Sequence, residues 1–514
     1  MSAEEFDVAI VGFGPTGAVA AALLGGYGIR TFVCDRSRDI YDEPRAFALD
    51  HEIMRVFQQL GLADAVLAHA EPFTPSEFYG VDGQLIKRFT SVEPPFPLGF
   101  PPSLVFSQPA VEAVLRAHVA SLPGVQVALG ETLTGLSQDA CGTTLSLREE
   151  AGQHREVRAR YVIGCDGASS AVRGMAGIAL EDLGFDQPWL VVDVLANEQG
   201  LAKLPAVSLQ YCEPQRPTTY LVGPKNHRRW EISLNEDEDP QQVATPEGAW
   251  KLLARWITPQ DAQLWRQAAY RFHALVADRW RTGRVFVAGD AAHQQPPFLG
   301  QGMCQGIRDV ANLTWKLRDV LQGRAGDALL DTYGVERKAH VTELTNRIKH
   351  IGQLVGERDP EKARGRDARL LAECDGVVKS VPRQNVQPAL SAGLLAQGGH
   401  TALGTIFPQP WMVQGASRQR LDELAGRGWR LVMAPGVALD AEASRFPGLT
   451  AVDMDSPAWQ EADGVVARWF AQHQCAAALV RPDHYVFGVA AHGESIAALL
   501  NAALGQLQPA AETA

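Results

Sequence analysis

The 514-residue sequence predicts an α/β fold that begins with a Rossmann-like βαβ unit. Three motifs support this fold, because each follows an apolar run that is typical of a buried strand. The first, Gly12-Phe13-Gly14-Pro15-Thr16-Gly17, lies near the N-terminus. Asp166-Gly167 follows residues 161–165, and Gly289-Asp290-Ala291-Ala292-His293 follows residues 284–288.

The βαβ unit occupies the first 35 residues. Residues 6–11 and 29–34 are mostly apolar and predict two buried strands, and residues 15–27, rich in alanine and leucine, predict the helix between them. Asp35 stands at the end of the second strand. The unit has the expected length of roughly 30 residues.

The remaining elements alternate between helical and extended patterns. Helices are predicted at residues 53–67, 109–121, 302–321 and 332–356, a loop at 93–102, and a linker at the Arg-rich stretch 358–369. Residues 126–160 predict a small antiparallel element, and residues 190–234 predict further strands. Short strands are predicted at 429–433, 450–454 and 476–480, in a separate C-terminal α/β region.

Composition excludes several classes of protein. The net charge of −12 argues against binding to nucleic acid, which needs basic patches. Seven cysteines without a Cys-x-x-Cys pair indicate free thiols rather than a disulfide or zinc framework, so we expect no metal site and a cytoplasmic location. Residues 8–29 carry no charge, but their six glycines and Pro15 favour strand, turn and helix over a membrane span.

The first motif has the chemistry of a dinucleotide site. Gly12 permits a tight turn, Gly14 lets a pyrophosphate approach the backbone, and Gly17 lets the helix pack closely on the sheet. The N-terminus of the helix offers free N–H groups to phosphates. Asp35, 18 residues after Gly17, is placed to accept ribose hydroxyls. The alternative is a glycine-rich turn that binds no ligand.

The other two motifs place an aspartate at the end of a strand. Asp166 is either a ligand-binding residue or simply the cap of a short helix. Asp290 is placed to accept hydrogen bonds from ribityl hydroxyls. The later glycines Gly300 and Gly302 open a helix whose N–H groups face nearby negative charge, which a reduced flavin carries.

These motifs in this order, with Pro44-Arg45-Ala46 and Ser107-Gln108, resemble the single-component (class A) flavoprotein aromatic hydroxylases. This is the group of para-hydroxybenzoate hydroxylase and phenol hydroxylase, and the likeness is greatest to the 3-(3-hydroxyphenyl)propionate hydroxylases. It extends to residues 469–473 and 481–486 near the C-terminus.

The resemblance implies bound FAD, with NAD(P)H as a transient co-substrate and O₂ as the oxidant. In such enzymes NAD(P)H reduces the flavin, O₂ adds at C4a, and the hydroperoxide transfers OH to a phenolic ring. The FAD-binding residues implied are Gly12, Gly14, Pro15, Thr16, Gly17, Asp35, Arg36, Arg45, Gln108, Asp166, Gly289, Asp290, Pro297, Gly300, Gly302 and Met303. Asp35 departs from the family's usual glutamate.

The resemblance also implies three domains. We expect a Rossmann-like FAD-binding domain at residues 1–180 and 270–360, and an inserted β-sheet substrate domain at 181–269 with part of 75–105. A thioredoxin-like domain at 385–514 lacks Cys-x-x-Cys, so we expect no thiol redox activity from it. No second glycine fingerprint supports a separate nicotinamide domain. We expect a homodimer that contacts neither nucleic acid nor membrane.

The residues that contact the substrate are less evident. His293, Tyr211 and Tyr220 are candidates to polarise the phenol hydroxyl, which would make the ring more nucleophilic. His293 could instead bind backbone beside the flavin, and the tyrosines could be packing residues. Arg216 and Arg228 are candidates for a substrate carboxylate, or solvated surface residues.

The sequence therefore predicts an FAD-dependent monooxygenase that hydroxylates a phenolic ring, such as a 3-(3-hydroxyphenyl)propionate-like acid in aromatic catabolism. One alternative is a hydroxylase of a larger phenolic or polyketide-like ring. Another is a non-catalytic binding protein with the flavoprotein fold. Halogenation is disfavoured because no Trp-x-Trp motif occurs.

Overall fold

The computed structural model describes residues 5–437, 439 and 446–508. The outermost parts of two expected domains, residues 1–4 and 509–514, lie outside this range. The elements before residue 180 are β1 (Glu5–Val11), α1 (Pro15–Gly26), β2 (Thr31–Asp35), β3 (Ala48–Asp50), α2 (His51–Gln59), α3 (Ala63–Leu67), β4 (Ala70–Pro72), β5 (Ser76–Tyr79), β6 (Leu85–Thr90), β7 (Ser103–Phe106), α4 (Gln108–Ala120), β8 (Val125–Leu129), β9 (Glu131–Gln138), β10 (Thr143–Glu149), β11 (His154–Gly164) and α5 (Ala171–Met175).

The middle of the chain begins with long antiparallel strands and ends in three helices. Its elements are β12 (Leu180–Ala196), α6 (Glu198–Lys203), β13 (Ser208–Tyr211), β14 (Thr218–Val222), β15 (His227–Ser233), α7 (Pro240–Val243), α8 (Pro246–Leu253), β16 (Ala262–Ala277), β17 (Arg281–Thr282), β18 (Val285–Val287), β19 (His293–Gln294), α9 (Gly302–Leu321), α10 (Ala328–Val355) and α11 (Pro360–Ala372).

The C-terminal part has shorter elements. They are β20 (Ser380–Pro382), β21 (Trp411–Gln414), β22 (Ser417–Arg420), α12 (Leu421–Ala425), β23 (Trp429–Met433), β24 (Leu449–Asp453), β25 (Gln460–Glu461), α13 (Val465–His473), β26 (Ala477–Val480), β27 (Val486–Ala490) and α14 (Ile496–Leu507). Short 3₁₀ turns occupy Gly289–Ala291 and Arg383–Val386.

The predicted βαβ unit is confirmed and forms the centre of a largely parallel sheet. The strand order is β17-β18-β11-β1-β2-β8, and β1, β2, β8, β11 and β18 run parallel. The three motifs follow β1, β11 and β18, so they meet at the carboxyl edge of this sheet, where ligands of open α/β sheets bind.

The second large sheet has nine strands in the order β19-β16-β12-β15-β14-β13-β5-β6-β20. Strands β12 to β16 are antiparallel neighbours, and β5 and β6 add residues from the region near 75–105. One face of this sheet packs against α8 through an aromatic cluster, which contains Tyr211, Tyr220, Trp230 and Trp256. The opposite face lies towards the carboxyl edge of the parallel sheet.

A four-stranded sheet, β24-β23-β26-β27, forms the C-terminal region with α13 and α14. It is tied to the rest of the protein by buried ion pairs. Arg481 contacts Glu336 of α10, and Arg55 of α2 contacts Asp422. All seven cysteines are free thiols.

Three sequence expectations need correction. Residues 360–372 form α11 rather than a linker, because Asp359 caps the helix and Arg366 is buried against the carbonyls of Leu354 and Cys212. The helix predicted at 53–67 is broken at Gly61, whose φ is +75°. Strand β8 is parallel to β2, so only β9, β10 and β11 form the antiparallel element.

No helix in the described part of the chain is long and apolar enough to cross a membrane. The described residues also contain no group of three or more His, Cys, Asp or Glu side chains that could hold a metal ion.

Candidate active site

A cavity of about 600 Å³ lies between the carboxyl edge of the parallel sheet and the nine-stranded sheet. We call it the main cavity. One half is lined by residues of the three motifs and their neighbours, and the other half by strands β12 to β16. The cavity therefore joins the expected dinucleotide site to the expected substrate sheet. Its volume lies in the usual range for small-molecule sites.

The three glycines of the first motif have different surroundings. A Cβ on Gly12, whose φ is +101°, would lie 2.3 Å from the carbonyl oxygen of Cys165. A Cβ on Gly17 would lie 1.9 Å from the carbonyl oxygen of Gly12. These two glycines therefore permit close packing and do not line the main cavity. Gly14 has nothing within 4 Å of its Cβ position and lines the cavity with Pro15 and Thr16 at the start of α1.

Asp35 stabilises the same turn from β2. Its Oδ2 accepts a hydrogen bond from the backbone N–H of Phe13 at 2.6 Å, and its Oδ1 accepts one from that of Ser37 at 2.7 Å. Arg36, the next residue, lines the main cavity. The predicted contact of Asp35 with ribose stays a prediction.

Arg45 and Gln108 meet on the wall of the main cavity. The Oε1 atom of Gln108 accepts hydrogen bonds from the backbone N–H groups of Arg45 at 3.0 Å and of Ala46 at 2.5 Å. Asp166 also lines the cavity, but its carboxylate accepts from the Ser170 hydroxyl and the Val172 N–H and so caps α5. Both readings of Asp166 are thus compatible with its position.

The third motif brings an unpaired carboxylate to the main cavity. Asp290 accepts no hydrogen bond from any described residue, and its side chain opens into the cavity. The surrounding protein atoms desolvate it and raise its pKa, although His293 and Arg45 oppose this. Pro297, Gly300, Gly302 and Met303 continue the wall up to the first turn of α9, and Gly289 packs against Thr16 with φ +60°.

His293 does not line the main cavity, so the structure does not bring it to where it could polarise a bound phenol. Its side chain is 1% exposed, Nε2 lies 2.9 Å from Oδ2 of Asp309, and the ring stacks on Trp280 at 5.5 Å. Asp309 also accepts from the Gly289 N–H. His293 therefore supports the third motif from behind.

Tyr211 and Tyr220 lie on the opposite face of the nine-stranded sheet, so the structure does not bring their hydroxyls to the main cavity. The Tyr220 hydroxyl donates to the carbonyl of Pro205 at 3.0 Å, and that of Tyr211 lies 3.2 Å from Nε1 of Trp256. Both rings pack in the aromatic cluster under α8. Because side chains alternate along a strand, their neighbours Gln210 and Thr219 face the cavity instead.

Arg216 and Arg228 do not line the main cavity either, so the structure does not bring these two predicted substrate-binding residues to it. Arg216 pairs with Glu238, and Arg228 donates to the carbonyls of Lys225 and His227. The alternation along β15 brings Arg229 and Glu231 to the cavity. This alternation could have identified the cavity face from the sequence, because the charged residues Arg229 and Glu231 stand on either side of the apolar Trp230.

Arg229 belongs to a buried charge cluster beneath the main cavity. Its guanidinium contacts both oxygens of Asp193, which is fully buried and also accepts from His227 at 2.7 Å. Burial alone would raise the pKa of Asp193, but Arg229 and the His227 hydrogen bond outweigh it and lower that pKa. Arg266 lies 3.5 Å from the same carboxylate. Arg229 and Arg266 therefore share the carboxylate of Asp193 within the protein.

Arg383 also lines the main cavity, but no carboxylate of the described residues pairs with it. Its Nη2 donates to the carbonyl of Leu299 at 2.5 Å, and its guanidinium lies 4.3 Å from the centre of the Phe73 ring. No carboxylate of the described residues lies within ion-pair distance. Burial lowers the pKa of Arg383 to about 10, so this cation is poorly compensated.

Comparisons with known proteins agree with this arrangement. A sequence model of the family described as FAD binding domain matches residues 5–348, and that of the HcaD C-terminal domain matches residues 404–505. The probable NADH-specific resorcinol 4-hydroxylase of Rhodococcus jostii (strain RHA1) is 38% identical, covering 98% of this chain and 95% of its own. A 3-(3-hydroxy-phenyl)propionate/3-hydroxycinnamic acid hydroxylase of Burkholderia cenocepacia (strain HI2424) is 33% identical over 93% of both chains.

Two solved structures share the fold over nearly the whole chain. The flavin-dependent monooxygenase PieE, in complex with FAD and substrate, superposes with a TM-score of 0.81 at 23% identity, covering 98% of this chain and 99% of its own. Aklavinone-11 hydroxylase, with FAD and aklavinone, has a TM-score of 0.81 at 24% identity and 99% coverage of both chains.

The chain therefore belongs to the FAD binding domain family of flavoprotein aromatic hydroxylases. It is an FAD-dependent monooxygenase that uses NAD(P)H and O₂ to hydroxylate an aromatic ring. The Rossmann-like FAD-binding fold, the β-sheet that forms the other wall of the cavity, and the C-terminal α/β region confirm the predicted fold class.

Proposed function

We propose that the main cavity holds the flavin and a phenol side by side, and that the phenol is hydroxylated there. One observation carries the proposal. The three nucleotide-type motifs and the polar face of the nine-stranded sheet line a single continuous cavity. An electron carrier and an organic substrate can therefore be in contact without any domain movement.

The residues present fit FAD. The first turn of α1 opens into the cavity at Gly14, where no side chain blocks a pyrophosphate, and Arg36 and Arg45 supply positive charge. Asp290 offers an unpaired carboxylate for ribityl hydroxyls. Gly302 and Met303 lie at the N-terminus of α9, where free N–H groups would face the flavin ring. Pro15, Thr16, Gln108, Asp166, Pro297 and Gly300 also line the cavity, and the other expected FAD-binding residues pack this wall from behind: Gly12, Gly17, Asp35 and Gly289.

FAD, reduced by NAD(P)H, supplies the oxygen activation that no amino-acid side chain provides. The chain's own residues must bind the phenol, orient its ring and exclude water. The nine-stranded sheet is suited to these tasks, because Val191, Leu221 and Phe272 provide apolar contact and Gln210, Thr219 and Glu231 provide polar groups.

Two classes of phenol fit the cavity. A phenol with an acid side chain, like 3-(3-hydroxyphenyl)propionate, could place its carboxylate against Arg383, a poorly compensated cation on the cavity wall. A neutral phenol like resorcinol is the second candidate, favoured by the 38% identity to a relative named for that activity. A larger polyketide-like substrate has weaker support, because the similarity to PieE and aklavinone-11 hydroxylase, at 23–24% identity, concerns the fold alone.

The experiment is a test of turnover with purified protein. We expect bound FAD, NADH or NADPH oxidation that is stimulated by resorcinol or 3-(3-hydroxyphenyl)propionate, and a product that carries one oxygen atom from ¹⁸O₂. FAD-depleted protein is the control. Stimulated NAD(P)H oxidation that yields only hydrogen peroxide across a panel of phenols would contradict the proposal.

We also propose that the protein is a cytoplasmic homodimer. The free thiols, four of them buried, support a reducing compartment. Light scattering of the holoenzyme tests the dimer, and a monomeric mass at micromolar concentration would contradict it. Cell fractionation tests the location.

A further inference from the structure

Glu231 occupies the centre of the main cavity's sheet wall. It lies on β15, directly opposite Thr219 on β14 and Val191 on β12, and Thr219 in turn lies opposite Gln210 on β13. Glu231, Thr219 and Gln210 thus form a polar row across three strands, and all of them line the cavity. Glu231 is only 3% exposed.

The carboxylate of Glu231 has no partner among the described residues. Neither oxygen takes part in a hydrogen bond, and Oε2 is buried without any polar contact. Buried carboxyl groups are almost always hydrogen-bonded, because desolvation without compensation costs several kcal/mol. An unpartnered carboxylate that faces a ligand cavity therefore indicates that a ligand supplies the partner.

The neighbouring charges are committed elsewhere. Arg229, on the same strand, binds Asp193 and the carbonyls of Pro44 and Arg45. Arg266 of β16 binds the Pro44 carbonyl and the Tyr270 hydroxyl and approaches Asp193, and its Nε lies 3.7 Å from Glu43. His227 is bound to Asp193 as well. Arg229 and Arg266 attract the Glu231 carboxylate and Asp193 repels it, but these charges act through space. None of the three residues forms a hydrogen bond or an ion pair with Glu231.

The rest of the polar row favours a hydroxyl as the ligand group. The Thr219 hydroxyl donates to Oε1 of Gln210 at 2.6 Å, which leaves the amide N–H₂ of Gln210 as a donor. The row thus presents one carboxylate acceptor beside an amide donor. A phenol hydroxyl, which donates its proton and accepts a hydrogen bond on its oxygen, matches this pair.

We infer that Glu231 is a catalytic residue that accepts the proton of the substrate's phenol hydroxyl, an inference that rests on the proposed function. The phenol O–H bond breaks, its electron pair stays on the phenol oxygen, and the proton bonds to a carboxylate oxygen of Glu231. The phenolate ring is the stronger nucleophile towards the hydroxyl group that is transferred. When the product regains its aromatic ring, the C–H bond at the hydroxylated carbon breaks, its electron pair restores the ring and its proton passes to water. The proton held by Glu231 returns to the phenol oxygen.

Burial suits Glu231 to this exchange. Desolvation raises its pKa to about 7, with Arg229 opposing the shift and Asp193 adding to it. A base whose pKa lies near the working pH can both take and return a proton. Because the base must be ionised, hydroxylation should increase as the pH rises through the pKa of Glu231.

The test compares the holoenzymes of the wild type, Glu231→Gln and Glu77→Gln with resorcinol as the phenol. Glu77 is the matched control, since it lies on the same sheet but pairs with Arg88 and does not line the cavity. We expect Glu231→Gln to keep its FAD, to lose about 100-fold or more in kcat for hydroxylation, and to lose the increase of kcat with pH. Glu77→Gln should retain both.

A binding measurement separates this inference from the proposed function. The ultraviolet difference spectrum of bound resorcinol at pH 8, after subtraction of the flavin, should show a larger fraction of phenolate in the wild type than in Glu231→Gln. If the variant hydroxylates at the wild-type rate with an unchanged pH profile, or binds resorcinol with the same fraction of phenolate as the wild type, Glu231 is not the base. If the wild type neither binds nor hydroxylates a phenol, the proposed function and this inference both fall.

Discussion

Arg229 and Asp193 form a two-point ion pair beneath the main cavity, with Nε 2.7 Å from Oδ1 and Nη2 3.1 Å from Oδ2. The remaining donors of Arg229 bind the carbonyls of Pro44 and Arg45 at 2.8 and 3.0 Å. Gln108 holds the N–H of the same Arg45 from the other side. The floor of the substrate sheet and the wall of the flavin site are therefore one connected structure.

Replacement of Asp193 by Ala should destabilise the protein strongly. The change leaves Arg229 and Arg266 buried without their shared carboxylate, and breaking a buried pair costs about 3–5 kcal/mol. Thermal denaturation of the holoenzyme should show a large fall in Tm, and FAD should dissociate more readily because the Arg45 segment loses its support.

Asp186→Ala is the control for this prediction. Asp186 pairs with Arg271 on the same sheet, but both side chains are about half exposed. A surface pair of this kind contributes roughly 0–1 kcal/mol. Equal losses of Tm in the two variants would show that the buried cluster has no special role.

Asp290→Ala should weaken FAD binding. The carboxylate faces the cavity without a protein partner, so its loss removes a charged acceptor and leaves the local structure intact. We expect FAD affinity to fall about 10- to 100-fold, the equivalent of a charged hydrogen bond of roughly 1.5–3 kcal/mol. Flavin fluorescence titration of the apoprotein measures this, with Asp331→Ala on the exposed side of α10 as control. Unchanged affinity would place the ribityl chain elsewhere.

The pH dependence of FAD binding follows from the raised pKa of Asp290. The ionised carboxylate is the acceptor, so affinity should be highest above that pKa and should decrease as the pH is lowered through it. The Asp290→Ala variant should lack this decrease.

Local sequence predicted the flavin half of the site far better than the substrate half. Gly17 packs against Gly12 within one βαβ unit, a contact that a short motif encodes. Which face of β13 to β15 meets the cavity depends instead on α8, which covers the face of Tyr220, and on residues 44–45, which bind Arg229. Those contacts are distant in sequence, so the sequence alone did not show which face meets the cavity. The aromatic residues predicted to bind substrate, Tyr211 and Tyr220, lie on the face that α8 covers.

Removal of the Tyr220 or Tyr211 hydroxyl should leave the chemistry intact. Each hydroxyl bonds within the cluster under α8 and not to the cavity, so Tyr220→Phe and Tyr211→Phe should keep kcat within about twofold. A loss of roughly 0.5–1.5 kcal/mol in stability is expected from the missing hydrogen bond. A large fall in kcat with unchanged stability would restore a catalytic role for these residues.

Arg383→Met should discriminate between the two candidate classes of phenol. For an acid such as 3-(3-hydroxyphenyl)propionate, loss of the cation should raise KM about 10- to 100-fold, as expected for a charged hydrogen bond. For resorcinol, which has no carboxylate, KM should change little. Steady-state kinetics with both compounds measure the difference, and an equal rise for both would assign Arg383 a purely structural role.

Glu231→Gln should make the substrate-free protein more stable at pH 8 than the wild type. The pKa of Glu231 is raised from 4.5 to about 7, so the folded state binds a proton over a range in which the unfolded chain has released it. Stability from this group is therefore present below pH 4.5 and decreases as the pH rises to 7, by at most roughly 3 kcal/mol. Glutamine carries no charge at any pH and avoids that loss.

Melting temperatures at pH 5 and pH 8 should show a gain for the variant that is larger at pH 8. Glu77→Gln should show no such gain, because it removes the carboxylate that pairs with Arg88. If Glu231→Gln is no more stable than the wild type at pH 8, the ionised carboxylate is not strained in the empty cavity, and a bound phenol is not needed to satisfy it.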